Sequence, residues 1–423
     1  MKPFLRKQWF WLAAAGGAAG IGLFAFVSTT QSATPRSKQE VLYDQVELLA
    51  EAISVVQSEY VEQVEPKRLI YGAMKGLVES LDRHSQFLSP EAYSEMQVET
   101  KGEFGGVGLE ITLSRDGVLA VVAPMDDTPA ARAGLKPNDR IVKIDGESTR
   151  GLSLHEAVMK LRGRPGTQVK LSILREEENR VFDAALTRSV IQIRSVRQAR
   201  SPEERIGYLR VSEFQDNTLR DIEKALAELE KEGLDGLILD LRNNPGGLLD
   251  VAVDVTGQFI PKGELVVYTQ GRMESQNQKF FSTQENPHLG FPMVVLVNEG
   301  SASASEITAG ALRDHGRAVL MGTKTFGKGS VQTVIPLRDG SAIRLTTSIY
   351  YTPSGQAIHG KGLIPDVVVE EEPDRDEEEK ERSGGSSSGK PKEFAPFRDP
   401  GVSRAVDLLK GLKVYQEKKK QKS

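Results

Sequence analysis

From Ile206 onward, short apolar runs alternate with helical segments, and this alternation is the strongest constraint on what the chain can fold into. Ile206 to Val211, Gly236 to Leu241 and Met293 to Val297 read as strands. Leu219 to Lys231, the stretch near Leu249 to Phe259, and Ser303 to Arg313 read as helices. Strands interleaved with helices pack as a sheet covered by helices, which makes this part of the chain α/β. Upstream the pattern differs. Between Gln39 and about Tyr71, Val41, Leu42, Val46, Leu49, Ile53 and Val56 recur at helical spacing, and a second helix is predicted to run to Leu81. Lys101 to Arg188 carries glycine-punctuated strands at 105–111, 118–122, 140–144 and 169–174, with helical segments at 129–133 and 154–161.

These shifts predict a multidomain α/β protein with a basic segment over 1–8, an apolar segment over 9–27 and a tether over 28–38. A helical region (39–95), a strand-rich module (96–188) and an α/β core (189–370) follow. The run from Glu370 to Arg382 is dense in charge and leads into a Ser/Gly tract; such residues bury too little apolar surface to fold, so 371–398 is expected to be a disordered linker. A last apolar-periodic stretch, Ser403 to Tyr415, reads as a docking helix within a terminal segment 399–423.

At the amino terminus Lys2, Arg6 and Lys7 precede an uncharged run from Trp9 to Val27, which as a helix is about 28 Å long, enough to cross a bilayer. Positive charge on the leading side predicts a cytoplasmic amino end with everything after Val27 outside it, in the periplasm, as a single-pass inner-membrane protein. A cleaved signal peptide is the competing reading; its apolar run is usually ~7–15 residues and ends in a small-x-small site that is not found after Val27. Cysteine is absent, which removes disulfides and thiolate chemistry. A net charge of -4 argues against a nucleic-acid partner. The five histidines show no metal-ligand spacing, so neither a metal site nor a cofactor is expected.

The densest candidate for chemistry is Asn298-Glu299-Gly300-Ser301-Ala302-Ser303-Ala304-Ser305-Glu306, which follows a strand and opens a helix. Ser303 with Glu306 is an S-x-x-E capping pair. A serine at a strand-to-helix turn also presents its hydroxyl where free backbone N–H groups and the helix dipole can stabilise an oxyanion. Gly322 to Ser330 nearly matches a phosphate-binding loop, but Gly329 stands where a magnesium-binding hydroxyl is needed, and a strand-like segment follows. Burial of Lys328 in that loop would lower its pKa and make it a base for a serine nucleophile; a solvated lysine is the ordinary alternative. Gln332 shares a face with Lys328 if the segment is a regular strand, about 13 Å along the axis. Asp240 to Gly247 ends a strand in a tight glycine turn whose N–H groups are oxyanion candidates, or merely a connection.

Together, Ser301 to Glu306, Phe326-Gly327-Lys328-Gly329-Ser330-Val331-Gln332 and the Asp240 to Gly247 turn resemble the carboxyl-terminal processing (tail-specific) serine proteases. The resemblance runs from about Gln39 to Val369 and includes Leu81-Asp82-Arg83-His84-Ser85, a loop read as structural, where the family usually has proline in place of Arg83. It implies a Ser–Lys dyad, and the family's 25-residue gap selects Ser303 as nucleophile and Lys328 as base. Gln332 would orient the lysine, and Ala304 with Gly247, or its neighbour Gly246, would supply the oxyanion N–H groups.

The module at 96–188 looks like the PDZ domain this family inserts before its catalytic core. Gly106-Val107-Gly108-Leu109 resembles the loop whose amides receive a peptide's terminal carboxylate. The implied partners are protein or peptide substrates of the cell envelope with free carboxyl termini, with room for an adaptor protein. The apolar stripes of the lead-in helix and of the final helix predict a homodimer or higher homo-oligomer. A PDZ scaffold with an inactive core, which only binds tails, is the alternative function.

Overall fold

The computed structural model describes residues 38–114, 116–201, 204–231, 233–370 and 394–420. The chain divides after Ile70 into two units. The first holds the helix Lys38–Glu59 and the start of a second, Pro66–Glu79. Leu42, Tyr43, Val46, Leu49 and Val56 of the first helix are exposed.

The second unit is built on a six-stranded sheet ordered Val196–Arg200, Ile206–Val211, Gly236–Asp240, Met293–Val297, Ala318–Gly322, Val367–Val368. The first pair is antiparallel and every other pair parallel. Successive side chains leave opposite faces of a strand, and here both faces are covered. Leu209, Val211, Leu237, Leu239, Val295 and Val297 point to a core shared with the helices Thr218–Glu230, Leu249–Gly257 and Ala304–Asp314. Tyr208, Ile238, Val294, Leu296 and Met321 pack instead with Val402, Ala405 and Leu409 of the carboxyl-terminal helix Pro400–Lys420. Burial on two faces is why these strands read as continuous apolar runs.

That docking covers part of the final helix's apolar stripe with the sheet of the same chain, Val402 and Leu409 being 0% and 1% exposed, while Val414 and Tyr415 stay exposed. Burying Val402 and Leu409 contributes about 1.5–3 kcal/mol each. The inner-membrane localisation is corrected. No helix among the described residues is long and apolar enough to cross a membrane, and the expected span Trp9–Val27 lies outside them.

A second, antiparallel sheet joins Gln86–Leu88, Leu265–Gly271, Lys279–Phe281, Ser330–Pro336 and Ala342–Tyr351. The strand-rich module forms its own sheet from Leu109–Leu113, Leu119–Pro124, Arg140–Ile144, Gln168–Arg175 and Arg180–Thr187, with Glu147–Ser148 paired at one side. Leu119, Val121, Ile141, Ile144, Leu171 and Ile173 make its core. Its helix Leu154–Leu161 begins with a full capping box, Glu156 N–H to Ser153 Oγ (3.2 Å) and Ser153 N–H to Glu156 Oε2 (2.8 Å).

Candidate active site

Three loops leave the carboxyl ends of three adjacent parallel strands: Leu241–Gly247 after Gly236–Asp240, Asn298–Ser303 after Met293–Val297, and Thr323–Gly329 after Ala318–Gly322. Parallel pairing puts like ends side by side, so motifs far apart in sequence meet at one rim, where open α/β sheets bind ligands.

Ser303 stands at the entry of the helix Ala304–Asp314 with φ 56 and ψ -117, outside the ordinary regions for an L-residue. Such a conformation costs about 1–3 kcal/mol and persists only when its surroundings impose it. They do so through hydrogen bonds from both sides. The Ser303 carbonyl accepts from Glu306 N–H (2.9 Å) and Ile307 N–H (3.0 Å), and Ser303 N–H donates to Glu306 Oε2 (3.0 Å). Just before it, Ser301 Oγ donates to the Leu241 carbonyl (2.7 Å) and Ala302 N–H to the Asn244 carbonyl (3.0 Å). Glu306 thus closes the helix end by accepting Ser303 N–H, and the Ser303 hydroxyl is hydrogen-bonded to the buried Tyr350 phenol.

The glycine turn is stitched to the serine turn. Asn243, at φ 56, donates its N–H to Asn298 Oδ1 (2.8 Å), and Asn298 Nδ2 donates to Asn243 Oδ1 (3.0 Å). The Asn244 carbonyl also accepts from Ser305 Oγ (2.9 Å). A Cβ on Gly246 would stand 2.7 Å from Ser303 Cβ and 2.9 Å from Ala304 N, so only glycine lets the turn come this close. The two glycines differ as donors. Gly246 N–H is taken by Asn244 Oδ1 (2.9 Å), which corrects its place among the oxyanion candidates. Gly247 bridges to Phe214 through its neighbours, Phe214 N–H to Gly246 O and Leu248 N–H to Phe214 O, both 2.8 Å, which leaves its own N–H outside that pairing.

Glu306 joins the serine to the lysine loop. Its carboxylate is wholly buried and accepts from Thr325 Oγ1, from Gly327 N–H (2.8 Å) and from Lys328 N–H (2.9 Å), besides Ser303 N–H. Burial pushes its pKa up, and these donors work against that rise. The Lys328 carbonyl accepts from the Tyr350 hydroxyl. Burial pushes the Tyr350 phenol well above its ordinary value, the Glu306 charge adds to this, and the bond to Ser303 opposes it. Lys328 itself is half-buried, and its amine makes no hydrogen bond or ion pair among the described residues. Burial lowers its pKa, the Arg344 charge lowers it further, and Glu306 pulls the other way. The loop runs from strand to strand, so it lacks the helix N-terminus a phosphate loop needs. No cluster of metal-ligating side chains occurs among the described residues.

Comparison with known proteins now decides the family. Residues 205–369 match Peptidase family S41, 121–175 a PDZ domain, and 15–91 the Activating protease CtpB N-terminal domain. The chain is 43% identical over 358 residues to a carboxy-terminal-processing protease of Bartonella bacilliformis, covering 84% of this chain and 81% of that one. The chain belongs to peptidase family S41. The carboxy-terminal processing protease CtpB of Bacillus subtilis is 34% identical over 406 residues, 94% of this chain and 82% of the relative. Among solved structures, a photosystem II D1 C-terminal processing protease is 32% identical, covering 77% of this chain and 92% of that one with a TM-score of 0.44. The chain is thus a serine-type carboxyl-terminal processing peptidase with a PDZ domain.

In this S41 protease Gln332 is not turned to Lys328. Its strand starts only at Ser330 and shifts register between Val331 and Gln332, so a regular alternation from Lys328 does not hold. Gln332 Nε2 donates to Ser330 Oγ (2.8 Å) and Thr346 Oγ1 (3.5 Å). Thr346 Oγ1 in turn donates to Asp82 Oδ1 (3.2 Å), and Arg83 lies over the ring of Phe326 in the lysine loop, 5.7 Å from its centroid. The Asp82–Ser85 loop therefore borders the lysine loop. His84 faces His359 at 6.4 Å; burial lowers its pKa, and the charges of Lys328 and Arg83 lower it further.

The PDZ residues Gly106, Val107, Gly108 and Leu109 line a groove of about 90 Å³ with Phe104, Val158, Leu161 and Arg162. Gly108, at φ 75, packs where a Cβ would meet Thr128 at 2.3 Å, and its carbonyl accepts from Met125 N–H (2.9 Å). Sequence reasoning noted Glu306 only as a cap; that its carboxylate also receives the lysine loop had no local signal. Tyr350, in a strand that was not predicted, had none either.

Proposed function

We propose that the protein is an endopeptidase in which Lys328 activates Ser303 and the PDZ groove holds the free carboxyl end of the substrate. The observation that carries this is a single buried oxygen, Glu306 Oε2, which accepts both Ser303 N–H (3.0 Å) and Lys328 N–H (2.9 Å) and so ties the two residues' backbones together. Neutral Lys328 takes the Ser303 proton as Oγ bonds to the scissile carbonyl carbon. The oxyanion is received by the N–H groups of Ala304, at a helix N-terminus, and Gly247. Protonated Lys328 then gives its proton to the departing amine as the C–N bond breaks. Water, deprotonated by the same lysine, attacks the acyl-enzyme and releases Ser303. Orientation of the amine by Gln332 requires its amide to exchange Ser330 for Lys328. The amides of Gly106 to Leu109 take the terminal carboxylate, and the exposed face of the helix Lys38–Glu59 packs on a second copy.

Ser303→Ala and Lys328→Ala test the dyad on a purified protein substrate. Each is expected to lower kcat/KM by about 10⁴ or more, and a serine-directed phosphonate should label the native protein at Ser303 and not Ser303→Ala. Full cleavage by either variant rejects the scheme.

A further inference from the structure

The carboxyl-terminal helix reaches the glycine turn through one side chain. Arg242, 13% exposed, is the second residue of that turn, two positions past the end of the strand at Asp240. Its N–H, Nε and Nη2 all donate to Asp240, at 2.9, 3.1 and 2.7 Å for the shortest of each. Asp240 is wholly buried and also accepts from the Tyr208 hydroxyl (2.8 Å) and Arg210 Nη1 (3.4 Å). One Arg242 nitrogen is left, Nη1, and it donates to both oxygens of Asp399 at 3.2 Å.

Asp399 comes from the far end of the chain and is itself held. Its Oδ1 accepts from Val402 N–H (2.9 Å), capping the helix whose Val402, Ala405 and Leu409 are buried on the sheet. Phe397 and Phe394 of the same segment lie against Tyr208, with ring centroids 6.2 and 5.9 Å away. On its other side Arg242 continues into Asn243, Asn244 and Gly246, whose contacts with Asn298, Ala302 and Ser303 hold the serine turn.

We propose that Asp399 is a positioning residue for the reaction: by completing the partners of Arg242 it fixes the turn that presents Gly247 N–H to Ser303, so the carboxyl-terminal helix is a working part of the active centre. The inference rests on the proposed roles of Ser303 and Gly247. A deleted helix would expose its whole apolar seat, so the test uses single substitutions in the full chain. Asp399→Asn keeps a good helix cap and removes the charge, and Asp399→Glu keeps the charge.

For Asp399→Asn, kcat should fall about tenfold with KM within about twofold, because the change misplaces a donor without touching the substrate. Amide hydrogen exchange over 243–247 should quicken about tenfold, while exchange in the strands Gly236–Asp240 and Met293–Val297 stays as in the native protein. Asp399→Glu should recover most of kcat. Unchanged exchange over 243–247, or an unchanged kcat, overturns the proposal. So does a loss of kcat accompanied by faster exchange throughout the sheet, which marks a purely structural role. The exchange readout needs no catalysis: absence of phosphonate labelling in the native protein would sink the dyad reading, and the exchange result would still decide whether Asp399 governs the turn.

Discussion

The serine turn and the lysine loop lie side by side and are held in opposite ways. Around Ser303 nearly everything is buried and bonded: Ser301, Ala302, Ala304, Ser305 and Glu306 are all buried, and Asn243, Asn244 and Asn298 fix the backbone in a strained conformation. In the lysine loop the backbone of Gly327 and Lys328 is clamped by Glu306, yet Phe326 is 53% exposed, Lys324 is exposed, and the Lys328 amine is unbonded among the described residues. The difference fits the roles proposed for the two halves. Stabilising an oxyanion depends on donors aimed in advance, which needs rigidity. Proton transfer needs an amine that changes charge and contacts within one turnover, which needs freedom at the side chain.

The contrast breaks most severely if the rigid half is pushed apart. Gly246→Ala forces a Cβ against Ser303 Cβ and Ala304 N at a φ of 111, and activity measured on a peptide substrate should fall about 10²–10³-fold. Substitution of the shared anchor strikes both halves. Glu306→Ala leaves three backbone N–H groups and the Thr325 hydroxyl without their acceptor, each such loss costing about 1–3 kcal/mol, so a denaturant midpoint should report a loss of about 3 kcal/mol or more. Glu306→Gln, which keeps an acceptor oxygen, should lose less.

The lysine side is probed by pH. With its pKa lowered first by burial and then by Arg344, Lys328 is protonated and inactive as a base below that lowered value, so kcat/KM should rise with pH and level off above it. Arg344→Gln removes a repelling charge, lets the Lys328 pKa return toward its ordinary value, and should move the rising limb to higher pH. An unmoved limb would mean that Lys328 is not the titrating base. The same sign applies to stability: the native state holds the Lys328 proton less tightly than the unfolded chain, so this group's contribution improves as pH rises from the lowered value to the ordinary one. The smallest expected effect isolates the strain at the serine. Ser303→Gly and Ser303→Ala both lack the hydroxyl, but only glycine accepts φ 56 freely, so the glycine variant should be more stable by about 1 kcal/mol in thermal unfolding.

Much of the site was legible because it is local. A serine between a strand and a helix, a lysine among glycines and an Asn-Pro-Gly-Gly turn are each readable in a few residues, and their joint spacing carried the family resemblance. Tyr350 was not legible: its strand carries no clear alternation, and its hydroxyl meets the Lys328 carbonyl only because the antiparallel sheet brings the two together. The Arg83 loop was read as structural because nothing near it in sequence shows that it reaches Phe326.

By itself the sequence determined the α/β class of the core, the strands and helices that flank the glycine and serine turns, and the residue types able to do acyl transfer. These follow from side-chain periodicity and from hydrogen bonds within a few residues, which a linear chain displays directly. The tertiary structure alone decided that Gly246 N–H is taken while Gly247 stays outside the pairing, that Gln332 faces Ser330, and that the final helix closes on its own sheet. Each of those outcomes turns on which distant group competes for one donor or one apolar face, and that competition is settled only when the chain packs.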